Sequence, residues 1–370
     1  MEVVVTGVGV ASALGDLEQT WKGLIEQRSG IRFYQPFSYL EKRPIALLDD
    51  QPAEILSLTQ EIALAAIRDA NLQFPLFDCG VVVGSSRSAQ AQWERLAVGQ
   101  GDISEWISTL PNAVAIAVAR LIHAQSIVLA PMAACATGLW AIAQATNLIE
   151  RGQCQRVIAG AIEAPITPLT LAGFERMGAL ARSAARPFDR DREGLVIGEG
   201  GALFVLESIT LAQQRGAKIY GRVRGFGLTA DGYHVSAPDP GSRGAIAAVQ
   251  QCLDRSQLDA KDIDYIHAHG TATQLNDRNE AYLIQQVFSQ HVPISSTKGA
   301  TGHTLGASGA LGTAVCLMAL HHQIVPPNVG LNEPEFDLAL VREARSTPLE
   351  NVMCFSFGFG GQNAAIALSR

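Results

Sequence analysis

Residues 127–150 read IVLAPMAACATGLWAIAQATNLIE. The first four residues form a β-branched and aliphatic run, which is typical of a buried strand. A segment of small residues that ends at Gly138 follows, and residues 139–150 then carry apolar side chains at helical spacing. The stretch therefore predicts a strand, a tight turn and a helix. Cys135 lies in the turn, close to the predicted N-terminus of the helix.

The same plan recurs along the whole chain. Short β-rich runs that often end in glycine alternate with stretches rich in Ala and Leu. The predicted strands are residues 3–5, 80–83, 127–130, 157–162, 202–206, 264–267 and 351–355. The predicted helices are residues 21–27, 60–70, 113–122, 139–150, 244–252, 279–288 and 309–321. This alternation predicts an α/β fold in which helices cover a sheet.

Two stretches hint at a duplicated architecture. Residues 78–85 (DCGVVVGS) and 264–271 (DYIHAHGT) are each a strand led by Asp that runs into a loop of small residues. No linker rich in Pro, Ser or Gly separates the two halves of the chain. We therefore expect the halves to pack as one body.

Composition excludes several classes of protein. The chain has 370 residues with 28 Lys and Arg against 35 Asp and Glu, a net charge of −7, so non-specific nucleic-acid binding is not expected. Its six cysteines include no CxxC pair, which argues against a zinc module or a disulfide framework. The acidic N-terminus does not resemble a signal peptide, and residues 127–143 are too short and interrupted to span a bilayer. We expect a soluble cytoplasmic protein without a membrane partner.

Cys135 is the first candidate for chemistry. The free N–H groups and the dipole of a helix N-terminus favour a thiolate, so the sequence predicts a thiol pKa below the usual value of about 8.5. The alternative is a small buried cysteine without a chemical role.

Two histidines lie in glycine-rich loops. His269 opens HGTAT (269–273), and His303 closes STKGATGH (296–303). Loops on a rigid scaffold often position catalytic groups, although either histidine could instead serve to fix its loop by a hydrogen bond. A cysteine and two loop histidines together favour covalent acyl chemistry.

The run FSFGFGGQN (355–363) contains a flexible turn whose backbone N–H groups could face a bound oxyanion, or which could be purely structural. Neither GEGG (198–201) nor the pair Gly7 and Gly9 has the spacing of a nucleotide-binding loop. No metal or other cofactor is expected.

In this order, the motifs resemble those of the elongating β-ketoacyl-[acyl carrier protein] synthases of the thiolase superfamily. The motifs are ACATG (134–138), RPFD to GEG (186–200), HGTAT with Asp277 and Glu280, STK to His303 (296–303), and FGFGG (357–361). The resemblance covers nearly the whole chain. It implies a thiolase-like five-layered αβαβα fold built from two similar halves, here residues 1–207 and 208–370, usually in a homodimer.

The resemblance also implies a reaction. An acyl group moves from an acyl carrier protein thioester to Cys135, and malonyl-[acyl carrier protein] then loses CO₂ and attacks the acyl group. His269 and His303 promote decarboxylation, and Lys298 tunes their pocket. The backbone N–H groups of Cys135 and Phe359 form the oxyanion hole, and Phe359 gates access. Three further residues are expected to bind substrate: Thr271, Thr273 and Phe357.

The chain departs from the family at four positions. The family usually has Asn at 267, Glu at 312 and Ser at 354, whereas this chain has His267, Gly312 and Cys354. In relatives these positions help to form a monovalent-cation site, so we hypothesise that this site is lost and that Lys298 has another partner, such as Glu280. Arg87 lies where the family sets a small or aliphatic residue beside the acyl tunnel, and it either points into solvent or marks an unusual acyl substrate.

Carrier docking needs a local basic patch, because the carrier protein and this chain are both acidic. The candidates are Arg182, Arg186, Arg190 and Arg192, although each could equally be ion-paired. Residues 99–110 and 182–186 are shorter than is usual, which leaves the acyl chain length open. The main alternatives to fatty-acid synthesis are a ketosynthase of a specialised polyketide or polyene pathway and a non-condensing partner subunit. A non-condensing subunit usually lacks the cysteine.

Overall fold

The computed structural model describes residues 1–289 and 291–370. Within these residues the strands are β1 Val3–Ala11, β2 Arg32–Tyr34, β3 Arg43–Ile45, β4 Gly80–Gly84, β5 Val128–Leu129, β6 Arg156–Glu163, β7 Gly200–Ser208, β8 Gly221–Ala230, β9 Tyr265–His267, β10 Ile294–Ser295, β11 Ile324–Val325, β12 Arg345–Ser346, β13 Asn351–Gly358 and β14 Gln362–Ser369. The helices are α1 Leu17–Ile25, α2 Ile55–Asp69, α3 Gln90–Ala97, α4 Ala113–Ile122, α5 Thr137–Glu150, α6 Pro168–Arg176, α7 Ile209–Gln214, α8 Arg243–Ser256, α9 Gln274–Val287, α10 Lys298–Thr301 and α11 Ser308–His322.

Ten strands form two equivalent five-stranded halves. The first half has the order β5-β4-β6-β7-β1, and the second has β10-β9-β13-β14-β8. In each half the first two pairings are parallel and the next two are antiparallel. A short antiparallel pairing of residues 3–5 with 221–223 joins the halves. The strands that begin after Asp78 and Asp264, β4 and β9, occupy equivalent places.

Helices pack on the sheets in three layers. Helices α5 and α11 contact each other and lie between the halves, with α5 on β6 and α11 on β13. Helices α2 and α4 cover the outer face of the first half, and α8 covers that of the second. Because both faces of the sheets are covered, strands β4, β6 and β7 are buried at every residue. The predicted five-layered α/β fold is confirmed, whereas the boundary at residues 207 and 208 stays a prediction.

Small residues let the two central helices touch near their N-termini. A Cβ atom added at Gly138 would lie 2.6 Å from the backbone nitrogen of Ala310, and one added at Gly309 would lie 2.8 Å from Cγ of Leu139. The N-terminal turns of α5 and α11 are therefore in backbone contact. This contact brings the residues just before both helices to one point in the middle of the molecule.

The apolar character of α11 follows from this central place. The stretch Leu305–His322 is long and apolar enough to cross a membrane, but 89% of it is buried inside the protein. Its residues contact strands of both halves, so no face of the helix is exposed to solvent until its last turn. Its composition is that of a core helix.

Each predicted strand and helix overlaps an element of the structure, but two central strands were missed. Strand β8 (GRVRGFGLTA) and strand β14 (QNAAIALS) carry many Gly and Ala residues and therefore lack a strand signature. The reason for β8 is tertiary packing against α8. A Cβ atom at Gly227 would lie 1.8 Å from the carbonyl oxygen of Ala248, so only glycine fits there.

Candidate active site

A tight turn presents Cys135 at the start of α5. Ala134 adopts a left-handed conformation with φ of 47°, which is uncommon for a residue other than glycine. The Thr137 hydroxyl holds the turn, since it accepts from the backbone nitrogen of Ala133 at 2.9 Å and donates to the carbonyl oxygen of Ala134 at 2.7 Å. The Ser356 hydroxyl in β13 donates to the carbonyl oxygen of Cys135 at 2.8 Å. Both halves of the fold therefore fix the position of the thiol.

His269 follows strand β9, and its backbone is held by a buried carboxylate. Glu280 in α9 accepts from the backbone N–H groups of His269 at 2.6 Å and Gly270 at 2.7 Å. Gly270 has φ of 42°, and a Cβ atom there would lie 2.5 Å from Cβ of Ser296. Glycine is therefore required in this loop, and the loop directs the His269 ring towards the centre of the molecule.

His303 lies between α10 and α11. Its backbone N–H donates to the carbonyl oxygen of Val196 at 2.6 Å, and its carbonyl oxygen accepts from Gly198 at 3.1 Å. Its ring nitrogen Nδ1 lies 2.8 Å from the hydroxyl of Ser308, the first residue of α11. The backbone of His303 is thus tied to the RPFD-to-GEG segment, and its ring is tied to the central helix.

The three side chains meet at one point. The Cys135 sulfur and a ring nitrogen of each of His269 and His303 all lie within 4.8 Å of one another. The two imidazole rings stand edge to face, with centroids 5.3 Å apart and an interplanar angle of 82°. The structure therefore brings together the cysteine and both histidines that the sequence singled out. Cys135 and His269 are 134 residues apart in the chain.

Lys298 supports His269 from behind. Its buried ammonium group donates to the carbonyl oxygen of His269 and lies 3.4 Å from Nδ1 of the same residue. The Glu280 carboxylate accepts from the backbone of the His269 loop and also attracts the Lys298 ammonium, so Glu280 as the charge partner of Lys298 stays a prediction. Lys298 and Glu280 are linked through His269.

Burial keeps both histidines neutral. It holds the pKa of His269 and the pKa of His303 well below the usual range, and the ammonium of Lys298 adds to this effect on each ring. Burial also lowers the pKa of Lys298, against the opposing attraction of Glu280. Near neutral pH the two imidazole rings are therefore uncharged, and each has one nitrogen that donates and one that accepts.

The pKa of Cys135 moves in the direction opposite to the prediction. Burial raises the pKa of the thiol to about 11, and the charge of Lys298 and the backbone N–H of Phe359 offset only part of this rise. The prediction of a lowered pKa is wrong because the thiol is buried at the closed end of a cavity, and desolvation outweighs the N-terminus of α5. The resting site combines a neutral thiol with two neutral imidazoles.

The sulfur of Cys135 and one ring nitrogen from each of His269 and His303 are donor atoms that could hold a metal ion. The ammonium of Lys298, 3.4 Å from His269 Nδ1, opposes a cation at that point, and a protonated thiol is a poor ligand. The arrangement suits a nucleophile with two hydrogen-bond donors better than a metal centre. The expected absence of a metal stays a prediction.

His267, Gly312 and Cys354, at the positions of the cation site expected in relatives, do not fit a monovalent cation. A Cβ atom at Gly312 would lie 2.7 Å from both Cys354 Sγ and His267 Nδ1, so these two side chains fill the space into which a side chain at 312 would project. The Cys354 sulfur and His267 Nδ1 are 3.8 Å apart, and His267 Nε2 lies 3.3 Å from the hydroxyl of Thr297. Hard cations prefer oxygen ligands, whereas this cluster offers chiefly sulfur and nitrogen.

A cavity of about 300 Å³ leads from the surface to the thiol. Exposed Met177 and Leu275 lie at its mouth. Its lining includes the catalytic candidates Cys135, His269 and His303 together with Thr271, Thr273, Phe357 and Phe359. The hydroxyl groups of Thr271 and Thr273 lie 2.9 Å apart, so the channel has a polar side next to an aromatic one.

Phe359 and Arg87 both contact Phe174. The Phe359 ring stacks on Phe174 with centroids 6.0 Å apart, and the backbone N–H of Phe359 lowers the pKa of the Cys135 thiol. The guanidinium of Arg87 is 5.9 Å from the centroid of the Phe174 ring, and the Arg87 side chain is exposed. Arg87 does not line the cavity, so it avoids the cost of burying a charge. A role for Arg87 in substrate binding stays a prediction.

Sequence reasoning missed Glu163, a buried carboxylate next to the site. Glu163 ends strand β6, accepts from the hydroxyl of Ser85 at 3.0 Å and also accepts from the backbone N–H of Ser86. A Cβ atom at Gly306, three residues after His303, would lie 2.5 Å from a carboxylate oxygen of Glu163. An acidic residue at the end of an apolar strand is the signal that could have revealed it.

The four arginines proposed for docking differ in their surroundings. Arg192 is buried, donates to Glu335 and the carbonyl of Asp189, and stacks on Phe336, so it is a structural residue and its assignment to docking is wrong. Three others lie nearer the surface: Arg190 pairs with Glu333 at 3.2 Å, Arg186 lies 4.0 Å from Glu193, and Arg182 is exposed.

Comparison with known proteins agrees with this geometry. The family described as beta-ketoacyl synthase, N-terminal domain, matches residues 54–212, and the corresponding C-terminal domain matches residues 220–332. The 3-oxoacyl-[acyl-carrier-protein] synthase 2 of Coxiella burnetii is 33% identical over 408 aligned positions, which cover 100% of this chain and 98% of that protein. The fold and the cysteine–histidine site are those of a thiolase-type ketosynthase. The chain belongs to the β-ketoacyl synthase family.

Solved structures give the same result. A type II polyketide ketosynthase in complex with its acyl carrier protein (AntDE:AntF) has a TM-score of 0.94 and 28% identity, with 100% of this chain and 98% of that chain covered. A beta-ketoacyl synthase from Burkholderia phymatum has a TM-score of 0.90 and 30% identity, with 100% and 99% covered. The fold of this chain is thus that of ketosynthases along its full length.

The raised pKa of Cys135 predicts the pH dependence of its alkylation. Only the thiolate reacts with iodoacetamide, so the rate of modification should still increase between pH 8.5 and 10, where an ordinary cysteine with a pKa of about 8.5 levels off. Replacing the nearby cation in Lys298→Met should slow alkylation at any fixed pH in this range. Peptide mapping by mass spectrometry measures the rate at Cys135. A rate that levels off below pH 8 would contradict the buried, neutral thiol.

Proposed function

We propose that the chain is a 3-oxoacyl-[acyl carrier protein] synthase, an acyltransferase of fatty-acid biosynthesis that uses Cys135 as its nucleophile. The observation that carries this proposal is the meeting of the Cys135 sulfur with nitrogens of two neutral histidines, all within 4.8 Å, at the closed end of a cavity. A nucleophile, two hydrogen-bond donors and a channel for a thioester are what a decarboxylative condensation requires.

The first step is transfer of the acyl group. The sulfur of Cys135 attacks the thioester carbonyl, the bond between the carbonyl carbon and the carrier sulfur breaks, and the carrier thiolate leaves and takes up the proton that Cys135 loses. Because the N–H of Phe359 lies close enough to the sulfur to lower its pKa, we expect the oxygen of a carbonyl carbon bonded to the sulfur to lie beside the N–H groups of Phe359 and Cys135. These two groups stabilise the oxyanion.

The second step forms the new carbon–carbon bond. The bond between the malonyl carboxylate and its α-carbon breaks, CO₂ leaves, and the electron pair passes into an enolate on the thioester oxygen. N–H donors of His269 and His303 stabilise this oxygen. The enolate carbon attacks the acyl carbonyl, and Cys135 leaves as a thiolate that takes up one proton. The products are a β-ketoacyl thioester, CO₂ and the free thiol.

Lys298 acts through His269 rather than on the substrate. Its ammonium lies 3.4 Å from His269 Nδ1 and carries only donors, so Nδ1 must accept and the proton of the ring must lie on Nε2. That tautomer supplies the N–H donor which the enolate step needs. The substrate arm then runs along the channel beside Thr271, Thr273 and Phe357, which line it.

Variants separate the two chemical steps. Cys135→Ala should form no acyl adduct with an acyl carrier protein thioester, because the attacking sulfur is gone. His303→Gln should still form the adduct but convert it to β-ketoacyl product at least about 100-fold more slowly, which is the usual effect of removing one such donor. Intact-mass spectrometry follows both steps.

His322→Gln, which changes an exposed histidine in the last turn of α11, is the matched control and should retain both steps. An intact wild-type protein that accepts no acyl group from any donor would overturn the condensing function and favour a non-condensing partner subunit. The presence of Cys135 between two histidines argues against that alternative.

We also propose that an acidic carrier protein docks on a basic patch at the mouth of the cavity, the patch being Arg176, Arg182 and Arg278. All three are exposed, and within the described part of the chain none of them forms an ion pair. Arg176 precedes Met177, and Arg278 lies one helical turn beyond Leu275, both of which line the mouth. Local attraction there can act despite the net charge of −7.

Charge reversal tests the patch. Arg176→Glu and Arg278→Glu should each lower kcat/KM for a carrier-bound substrate by about tenfold at low salt and leave kcat/KM for a small pantetheine thioester unchanged. Arg151→Glu is the control, since this exposed residue follows the far end of α5, about 20 Å from Cys135. Equal losses with both kinds of substrate would show that the patch does not bind the carrier.

A further proposal is that a second copy of the chain binds at the edge strand β5. This strand ends the sheet, and its unpaired backbone groups lie beside a broad apolar surface. The surface includes Ile103, Ile107, Ile116, Leu129 and Met132, all exposed in the single chain. An edge strand can pair with its own copy across a twofold axis, so a second copy of the chain is the simplest partner at this edge.

The cytoplasmic location of the protein stays a prediction.

Light scattering after gel filtration tests this surface. The wild-type protein should have twice the mass of the 39.3-kDa chain, and Met132→Glu should shift it to the monomer because a charge cannot be buried unpaired at the interface. Tyr39→Glu changes an equally exposed side chain outside this surface and should remain dimeric. A wild-type monomer would indicate that a different chain occupies the edge.

A further inference from the structure

Within the described residues, the side chain that forms a hydrogen bond with the His303 ring is that of Ser308. The backbone of His303 is fixed by Val196 and Gly198, but these bonds leave the ring free to choose which nitrogen carries its proton. Nδ1 lies 2.8 Å from the Ser308 hydroxyl, and both groups are buried. The tautomer of His303 therefore depends on whether this hydroxyl donates or accepts.

Two features of the surroundings favour donation by Ser308. Its oxygen lies 3.2 Å from the hydroxyl of Thr304, which is fully buried and can donate to it. Ser308 then has its single proton left for His303. In addition, Ser308 is the first residue of the 15-residue helix α11. Because a helix N-terminus carries a partial positive charge, it favours an Nδ1 of His303 that presents a lone pair towards it over an Nδ1 that presents an N–H.

We propose that Ser308 is a positioning residue for the condensation, because its hydroxyl donates to Nδ1 of His303 and so keeps the proton on Nε2. This inference rests on the function proposed above and adds a residue to it. The tautomers of the two histidines are then fixed in two different ways. The ammonium of Lys298 sets the tautomer of His269, and the hydroxyl chain from Thr304 through Ser308 sets that of His303.

The variant Ser308→Ala removes the hydroxyl with little effect on folding. Alanine is the best helix former, and Ala307, not Ser308, is the N-cap residue of α11. Without the donor, both tautomers of the neutral His303 ring become accessible. Decarboxylation, which needs an Nε2–H donor, should therefore become slower, whereas the rate of acyl transfer to Cys135 should change little.

Nitrogen NMR of protein labelled with [¹⁵N]histidine tests the proposal directly, because the two tautomers have different ¹⁵N shifts. His303 is assigned by the loss of its signals in His303→Gln. We expect the Nε2–H tautomer in the wild-type protein and a mixture of tautomers in Ser308→Ala. Decarboxylation of malonyl-[acyl carrier protein] should fall about tenfold in Ser308→Ala, while acylation of Cys135 stays within about twofold.

Two further variants separate positioning from general structure. Ser308→Thr keeps the hydroxyl and should restore the tautomer and most of the decarboxylation rate. Thr313→Val removes another buried hydroxyl of α11, which donates within the helix to the Gly309 carbonyl oxygen at 2.9 Å, and it should behave as wild type.

An Nδ1–H tautomer in the wild-type protein would overturn the proposal. So would an unchanged tautomer, or an unchanged decarboxylation rate, in Ser308→Ala. Failure of the proposed function gives a different result. In that case the wild-type protein itself neither accepts an acyl group nor releases CO₂, and the NMR spectra still report whether Ser308 sets the tautomer.

Discussion

The backbone contact between α5 and α11 is the constraint on which the site depends. Gly138 and Gly309 leave no room for a side chain at the crossing, so the first turns of the two helices touch in the middle layer of the fold. Cys135 lies two residues before the start of α5, and His303 lies five residues before the start of α11. A larger residue at the crossing would push the two halves apart and separate the thiol from this histidine. The duplicated sheet, with its equivalent strand orders, is the scaffold that makes such a central crossing available.

Burial at this crossing determines the chemistry. Away from water, the charged forms of a thiol and an imidazole are both disfavoured, so Cys135 and the two histidines are neutral at rest. In the proposed reaction the site therefore acts through oriented hydrogen-bond donors rather than through an ion pair. What must be controlled is which nitrogen of each ring carries the proton. The ammonium of Lys298 and the hydroxyl of Ser308 contact the Nδ1 atoms of the two rings and can exert that control.

Substitutions around the site leave this centre intact. His267, Gly312 and Cys354 form a compact cluster in which glycine is needed because the other two side chains occupy the space beside it. None of these three residues lines the cavity. Arg87 likewise remains on the surface over Phe174, outside the channel.

The sequence by itself determined the family motifs, the reactive residues and the elements whose apolar pattern follows a helix or strand period. Tertiary structure alone decided the rest. Strand β8 was not predicted because its sequence lacks a strand pattern. Its glycines are required by the close approach of the α8 backbone, which the local sequence does not show. Arg192 looked like a surface charge, but it is buried against Glu335 and Phe336. The helix N-terminus predicted a lowered pKa for the Cys135 thiol, whereas desolvation raises it. Each of these depends on groups far apart in the chain, and a local pattern carries no information about which distant groups will surround a residue.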